Sequence, residues 1–385
     1  MRRRRPRSFA IVAAILAAPG VVRAQTWPSD DLVTSTLPNG DAASSTRRQH
    51  TGAPATLCLL GHVAPTILMV GAQKCGSSSL WSDVMKHVKG TVSARAKVGV
   101  EPRHFSKEQH FFSKDARYRK GMAFYVSHYP TCQPGARALR AVDATPNYLR
   151  IPGTAARVHA AYAGHVRALR MIVIVRNPTD RLISWYGHIG TKRGISNLSI
   201  DEFAYANLRE MRACAKKHWL PVESEAMWAS ACRNLRPPLY DALSGGMYAP
   251  QIAEWLHWFP ARQIALVTFG GYLKRVKDVL TDLAAFIGQE PRSGASATHA
   301  RALADASEVG VVRRRRAIEP SHRNVRSRGR AALSASTHAA LTEFYRPHVD
   351  ALIALLHRPA AQSMFSTPFR PARALTAPRL LDGSM

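Results

Sequence analysis

The chain has 385 residues, 46% of them hydrophobic, which is a globular composition with apolar material for one large α/β core or two small ones and no sign of a membrane bundle. It carries 54 Lys and Arg against 25 Asp and Glu, a formal charge of +29, and such a balance favours a polyanionic partner: nucleic acid, acidic polysaccharide, an anionic membrane or a multiply charged nucleotide. The five cysteines, Cys58, Cys75, Cys132, Cys214 and Cys232, show neither a CxxC pair nor zinc-site spacing. Their odd number leaves at least one thiol free, and Cys214 and Cys232, in one polar segment, are the best candidates for a bridge.

At the N-terminus, Arg2 to Arg5 and Arg7 precede an apolar stretch from Phe9 to Val22, and Arg23-Ala24-Gln25 follows. A basic cap, a short apolar run interrupted by Pro19-Gly20 and a small residue at Ala24 predict a signal peptide over 1–25. An uncleaved signal-anchor is the second reading and a basic transit peptide the third. The first two direct the product to a secretory lumen or periplasm, and Asn197-Leu198-Ser199 offers one glycosylation sequon. Residues 26–62 are rich in Ser, Thr, Asp and Gly without periodicity, and read as a low-complexity stem.

Ile67 to Val70 is an apolar run of strand formers that stops at Gly71. Leu80, Trp81, Val84, Met85 and Val88 then recur at helical spacing. The loop between holds Gly71, Gly76 and Lys74, and the hydroxyls of Ser77 and Ser78 follow it. A glycine-rich turn before a helix N-terminus, with a lysine and hydroxyl donors, suits a phosphate-like anion. It differs from a nucleotide Walker loop, because Lys74 lies between the glycines and Ser77 stands where that motif has its lysine.

Further along, Tyr118 to His128 reads as a helix, Leu139 to Val142 as a strand and Thr154 to Ala163 as a helix. Met171 to Val175 is the second clear buried strand, and a helix capped by Thr179 follows it. Residues 189–245 read as an irregular insertion over the core. Met247 to Phe259 reads as a helix, Ile264 to Thr268 as a strand and Tyr272 to Ile287 as a helix. Residues 289–335 form a basic loop region with Arg313 to Arg316, Ala339 to Leu356 is a last helix, and 358–385 is a flexible tail. Strands alternating with helices predict an α/β domain over 63–357 with a mostly parallel central sheet flanked by helices.

In such a sheet, ligands sit beyond the carboxyl ends of the strands. Lys74 with Ser77 and Ser78 follows one strand, and Arg176 with Ser184 follows another. Two such sets suggest one ligand with two separated anionic groups. An ATP-dependent kinase is disfavoured by the displaced lysine and by the lack of a clear magnesium carboxylate behind a strand.

Several stretches together resemble the sulfotransferases. Pro65 to Leu80 resembles their 5′-phosphosulfate loop, and Val175-Arg-Asn-Pro-Thr-Asp-Arg-Leu-Ile-Ser-Trp-Tyr186 their 3′-phosphate motif. Lys107-Glu-Gln-His-Phe-Phe112 is similar to the Lys-Glu-x-His-Phe-Phe of carbohydrate sulfotransferases of the heparan sulfate O- and N-sulfotransferase type. Gly246-Met-Tyr248 with Trp255, Leu256, Phe259 and Pro260 is similar to another segment of that family, and Ser327-Arg328-Gly329-Arg330 to its late Lys-Gly-Arg loop. The matches run in order from Pro65 to Leu356.

The resemblance implies the P-loop-like sulfotransferase fold and a donor, 3′-phosphoadenosine-5′-phosphosulfate (PAPS), used without a metal. It implies that Gln73, Lys74, Cys75, Gly76, Ser77 and Ser78 hold the phosphosulfate, with Lys74 on the bridging oxygen. Arg176 and Ser184 would hold the 3′-phosphate, and Arg328, Gly329 and Arg330 would close over the nucleotide. Glu108 matches the catalytic base, and His110 would serve beside it or else be a packed loop histidine. The acceptor implied is a carbohydrate hydroxyl, on a polysaccharide that is itself acidic, with no nucleic acid partner. The implied location is the Golgi lumen by a signal-anchor, with secretion or a periplasm as the alternative and membrane attachment through the N-terminal segment. Sulfation of an amine, a tyrosine, a lipid or a small alcohol remains open, as does a polyanion-binding protein that kept the fold without the reaction.

Two departures from the family stand out. Its animal members show Glu-Lys-Thr-Pro-x-Tyr-Phe, whereas Asp143-Ala144-Thr145-Pro146-Asn147-Tyr148-Leu149 has alanine in place of the lysine. Either another cation substitutes or this branch acts without one. Cys75 replaces a small loop residue and is expected to be a buried thiol rather than a nucleophile.

Overall fold

A computed structural model describes residues 56–94, 107–134, 138–190, 198–219, 232, 242–290 and 332–358. Two short strands, β1 (Cys58–Leu59) and β2 (His62–Val63), pair antiparallel ahead of the main sheet. That sheet contains β3 (Pro65–Gly71), β4 (Thr91–Ser93), β5 (Arg140–Asp143), β6 (Arg170–Val175) and β7 (Ile264–Thr268), in the spatial order β4-β5-β3-β6-β7. Every pairing in it is parallel. All seven residues of β3 are buried, so both faces of the central strand are covered, as a continuous apolar run requires.

The helices are α1 (Ser77–His87), α2 (Asp115–Tyr118), α3 (Gly121–Val126), α4 (Thr154–Ala161), α5 (Pro178–Gly190), α6 (Ile200–Lys217), α7 (Tyr248–Trp258), α8 (Phe269–Lys274), α9 (Val276–Phe286) and α10 (Ala335–His357). α1 packs on α9, while α10 packs on α5, α6 and α7. Among the described residues no helix is long and apolar enough to cross a membrane. The N-terminal segment, residues 26–55 of the stem, the basic run Arg313 to Arg316 and the tail beyond Arg358 lie outside the described residues, while Cys58 to His62, expected as the end of the stem, lie in the β1–β2 hairpin.

Four local readings change. The segment expected to be irregular contains α6, whose start is a capping box: the Ser199 side chain accepts from the Glu202 N–H at 3.2 Å, and Glu202 accepts from the Ser199 N–H at 2.7 Å. Asn177, not Thr179, caps α5, its Oδ1 accepting from the N–H groups of Thr179 (2.9 Å) and Asp180 (3.1 Å), with Pro178 at the first helical position. The helix expected over Tyr272 to Ile287 is two helices separated at Arg275 (φ −138°, ψ 51°). The one expected over Tyr118 to His128 is α2 and α3, parted at Arg119 and Lys120, and α3 opens on Gly121, whose φ of 76° is left-handed and suits glycine.

Two disulfides form. Cys214–Cys232 is the expected bridge, and Cys58–Cys132 ties the β1–β2 hairpin to the segment after α3. Cys75 is free and buried. His218 lies near Cys214 and Cys232, but both sulfurs are committed to their S–S bond and neither is a thiolate ligand.

Replacing Ser199 with alanine should lower stability by about 1 kcal/mol through loss of the cap, read as a lower denaturant midpoint; an unchanged midpoint would mean that α6 does not depend on its capping box.

Candidate active site

The loops after β3, β5, β6 and β7 all leave the same edge of the parallel sheet. Behind β3 the chain goes to β4 and β5 on one side, and behind β6 it goes to β7 on the other. The gap between β3 and β6 is therefore a topological switch point, where open α/β sheets have their ligand crevice.

The β3–α1 loop supplies Gln73, Lys74, Cys75 and Gly76. Lys74 (φ 69°) and Gly76 (φ 92°) are both left-handed, the backbone conformation that anion-binding nests use. A Cβ on Gly76 would lie 2.5 Å from the Phe269 ring, so only glycine fits there without a shift. Phe269 opens α8 behind β7, and the Arg176 guanidinium stacks over the same ring at 5.0 Å from its centroid. Three strand ends thus meet around one aromatic ring.

Arg176 follows β6. Its Nη2 pairs with Asp180 at 3.2 Å, and its Nη1 donates to the Lys74 carbonyl at 3.5 Å. Its side chain is only 12% exposed, and among the described residues its buried Nε has no hydrogen-bond partner. Ser184 is half-buried on α5, eight residues after Arg176 in sequence. Arg328, Gly329 and Arg330 lie outside the described residues.

Arg181, which sequence reasoning passed over, is fully buried. Its Nε donates to the Gln73 carbonyl at 3.2 Å, its Nη1 to the Ala242 carbonyl at 2.7 Å, and it stacks on Trp185. It therefore fixes the β3–α1 loop to α5. A signal was present: with Pro178, Leu182, Trp185 and Ile189 it lies on the buried stripe of the helix, where a charge is out of place. The Gln73 side chain accepts from Arg150 at 3.4 Å. The Cys75 thiol turns inward to the Tyr248 hydroxyl (3.3 Å), and burial pushes its pKa up, which disfavours the thiolate.

The third group is the segment from Lys107 to Phe112. Glu108 receives Lys107 Nζ on Oε1 at 3.1 Å and lies 3.2 Å from His110 Nε2 through Oε2. The other ring nitrogen of His110 faces Asn147 Oδ1 at 3.2 Å. Burial alone would lift the Glu108 pKa, but the hydrogen bonds and charges of His110 and Lys107 hold it below the usual carboxylate range. Lys107 also donates to Ser78 Oγ (3.1 Å) and Ser77 Oγ (3.3 Å) at the start of α1. Burial lowers the Lys107 pKa and outweighs the opposite pull of Glu108.

Asp143, at the end of β5, holds this segment in place. It accepts from the Gln109 N–H (3.4 Å), Thr145 Oγ1 (2.5 Å), Tyr125 OH and Tyr148 OH (both 2.8 Å). The Tyr148 oxygen in turn accepts from the Phe111 N–H at 2.9 Å, and the Ala144 N–H donates to the Lys107 carbonyl at 3.0 Å. Burial raises the Asp143 pKa against the lowering effect of its donors.

The parallel α/β sheet thus brings a left-handed lysine loop and a second cation together at its switch point, beside a braced carboxylate. The sequence model of the sulfotransferase domain matches residues 64–303, more than half of the chain, and the chain belongs to that family. Among its relatives, the human heparan sulfate glucosamine 3-O-sulfotransferase 3A1 is 26% identical over 265 residues, covering 66% of this chain and 54% of that protein. The mouse bifunctional heparan sulfate N-deacetylase/N-sulfotransferase 4 is 23% identical over 296 residues, covering 76% of this chain and 30% of that protein. The chain thus spans about half, or less, of the length of the curated relatives it matches. A solved sulfotransferase from Alicyclobacillus acidocaldarius aligns with a TM-score of 0.47 at 21% identity, over 78% of this chain and 98% of that one.

Asp143→Ala would strand several buried donors at once, each costing about 1–3 kcal/mol when unsatisfied. The expected result is a loss of at least about 3 kcal/mol in chemical unfolding; a loss below 1 kcal/mol would show that the clamp is dispensable.

Proposed function

We propose that the chain transfers a sulfuryl group from PAPS to a hydroxyl of a carbohydrate, a polysaccharide or other glycan. The observation that carries this reading is the contact between a base and an anion cradle: one lysine joins the Glu108 carboxylate to the hydroxyls at the start of α1. The resemblance of the motifs and the names of the heparan sulfate relatives support the acceptor class, and the charge of +29 suits an already acidic glycan.

In this mechanism the acceptor oxygen attacks sulfur in line while the bond from sulfur to the bridging oxygen of the 5′-phosphate breaks. The hydroxyl proton passes to Glu108, and the bond's electron pair stays on the phosphate, leaving adenosine 3′,5′-bisphosphate. Lys74 stabilises the charge that grows on the leaving phosphate, and backbone N–H groups and hydroxyls from Gly76 to Ser78 cradle it. Arg176, whose orphaned Nε suits an anion, holds the 3′-phosphate with Ser184. Arg328, Gly329 and Arg330 close over the nucleotide, and His110 orients Glu108. The two disulfides favour an oxidising compartment, in keeping with a secretory route through the Golgi or with secretion. The N-deacetylase/N-sulfotransferase relative favours a second reading, in which the acceptor is an amine.

The test of the class is sulfate transfer from labelled PAPS across a panel of glycans and aminoglycans. Transfer to a glycan is the expected result; nucleotide binding with no transfer to any acceptor would leave a polyanion-binding protein. Adenosine 3′,5′-bisphosphate should bind far more tightly than ADP, and equal affinity would favour a kinase. Arg176→Ala should weaken the bisphosphate by about 10- to 100-fold, the effect of losing hydrogen bonds to a charged group, and unaltered binding would remove Arg176 from the 3′-phosphate.

Glu108→Gln should lower kcat by about 10²- to 10⁴-fold while bisphosphate affinity holds; an unchanged rate would end the base assignment. Since the Glu108 pKa is depressed, activity should persist down through the ordinary carboxylate range, with the acid limb of kcat/KM on the acid side of an unperturbed glutamate. His110→Ala removes a donor that favours the carboxylate and should move that limb upward. A limb that stays in place would separate His110 from Glu108.

A further inference from the structure

We infer that Lys107 is the cation that holds the sulfuryl group itself, standing in for the family lysine that Ala144 replaces; this rests on the donor reading above. In-line transfer requires sulfur to lie between the acceptor oxygen, which the base marks, and the leaving oxygen, which the β3–α1 loop marks. The side chain that spans this interval is Lys107, with Nζ 3.1 Å from Glu108 on one side and 3.1 and 3.3 Å from the Ser78 and Ser77 hydroxyls on the other. Its three donors can turn from those hydroxyls to sulfuryl oxygens without a change in backbone.

The electrostatics of the position point the same way. The Lys107 side chain is 13% exposed and lies against the N-terminus of α1, the positive end of the helix, where a buried cation is disfavoured twice. Glu108 offsets one positive charge and the buried Asp143 acts on Lys107 as well, yet the Glu108 carboxylate also bonds His110, and Lys74 lies on the loop that enters α1. A bound anion between α1 and Glu108 balances this arrangement. Ala144 shows why the neighbour serves: its N–H donates to the Lys107 carbonyl at 3.0 Å, so the lysine-bearing segment adjoins the position where the family has its cation. Ala144 is fully buried and supplies no charge of its own.

The product of transfer lacks the sulfuryl group, so a residue that holds it must discriminate between the two nucleotides. Calorimetric titration of the full chain with PAPS and with adenosine 3′,5′-bisphosphate, without acceptor, measures this directly. Lys107→Gln should weaken PAPS about tenfold, the loss of one charge-assisted bond, and the bisphosphate less than twofold. In turnover kcat should fall about 100-fold. Lys107→Arg keeps the charge and should hold the ratio of the two affinities within about threefold of wild type. If Lys107→Gln melts with wild type and loses both nucleotides equally or neither, Lys107 does not touch the sulfuryl group. If it does not fold, a Lys107→Arg protein without preference for PAPS overturns the assignment instead. A wild-type chain that binds neither nucleotide would sink the donor reading, a different failure from bisphosphate binding with no role for Lys107.

Discussion

The site depends on one buried carboxylate. Asp143 ends β5, is fully buried and accepts from one backbone N–H and three hydroxyls. A carboxylate in low dielectric is costly unless its lone pairs are filled, and here they are filled by groups that must be placed correctly. Because β5 pairs directly with β3, fixing the segment from Lys107 to Phe112 to the end of β5 also sets it beside the loop that leaves β3. The distance between the carboxylate of Glu108 and the start of α1 is thus a property of the sheet, transmitted through Asp143 and Tyr148.

The other side of the crevice is built differently. There, Arg176, Phe269 and Gly76 converge from β6, β7 and β3, and Arg181 holds the β3–α1 loop from beneath by its Gln73 carbonyl. Arg181 is buried and bonded to backbone carbonyls, a neutral acceptor set that is only partial compensation for a charge. With Lys74, Lys107 and Arg176 nearby, the crevice gathers cations faster than it gathers carboxylates. A surplus of positive charge suits an anionic ligand, and the direction of the whole-chain charge is the same.

Legibility in the sequence followed the range of the interactions. β3, β6 and β7 were readable because buried parallel strands appear as unbroken apolar runs. The loop with Lys74 and the segment starting at Arg176 were readable because each packs its chemistry into a few consecutive residues. α6 was missed although Ser199 and Glu202 spell a capping box, because its buried stripe mixes Phe203, Leu208 and Met211 with the small or polar Ala204, Asn207 and Ala215 and so carries a weak apolar signal. The Cys58–Cys132 bridge spans 74 residues, and no local pattern selects that pairing over others. Asp143 stood within a recognised motif, but its role comes from Gln109 and Tyr125, which only the fold brings to it. Lys107 adjoined the base in sequence, whereas its contact with Ser77 and Ser78 crosses from one loop to another.

In the proposed mechanism Lys107 also bears on how hard Glu108 has to work as the base. A carboxylate held below its ordinary pKa is always ready to accept a proton but accepts it with little driving force. Part of that depression comes from Lys107. If the ammonium turns toward a sulfuryl group as the donor enters, its charge is shared with the new anion, and its hold on Glu108 loosens. In that mechanism Glu108 becomes more basic when there is a sulfuryl group to transfer, and stays weakly basic when there is none. A cation that did not bond the Glu108 carboxylate would not produce this coupling, and in the proposed arrangement Lys107, whose ammonium lies 3.1 Å from Glu108 Oε1, does.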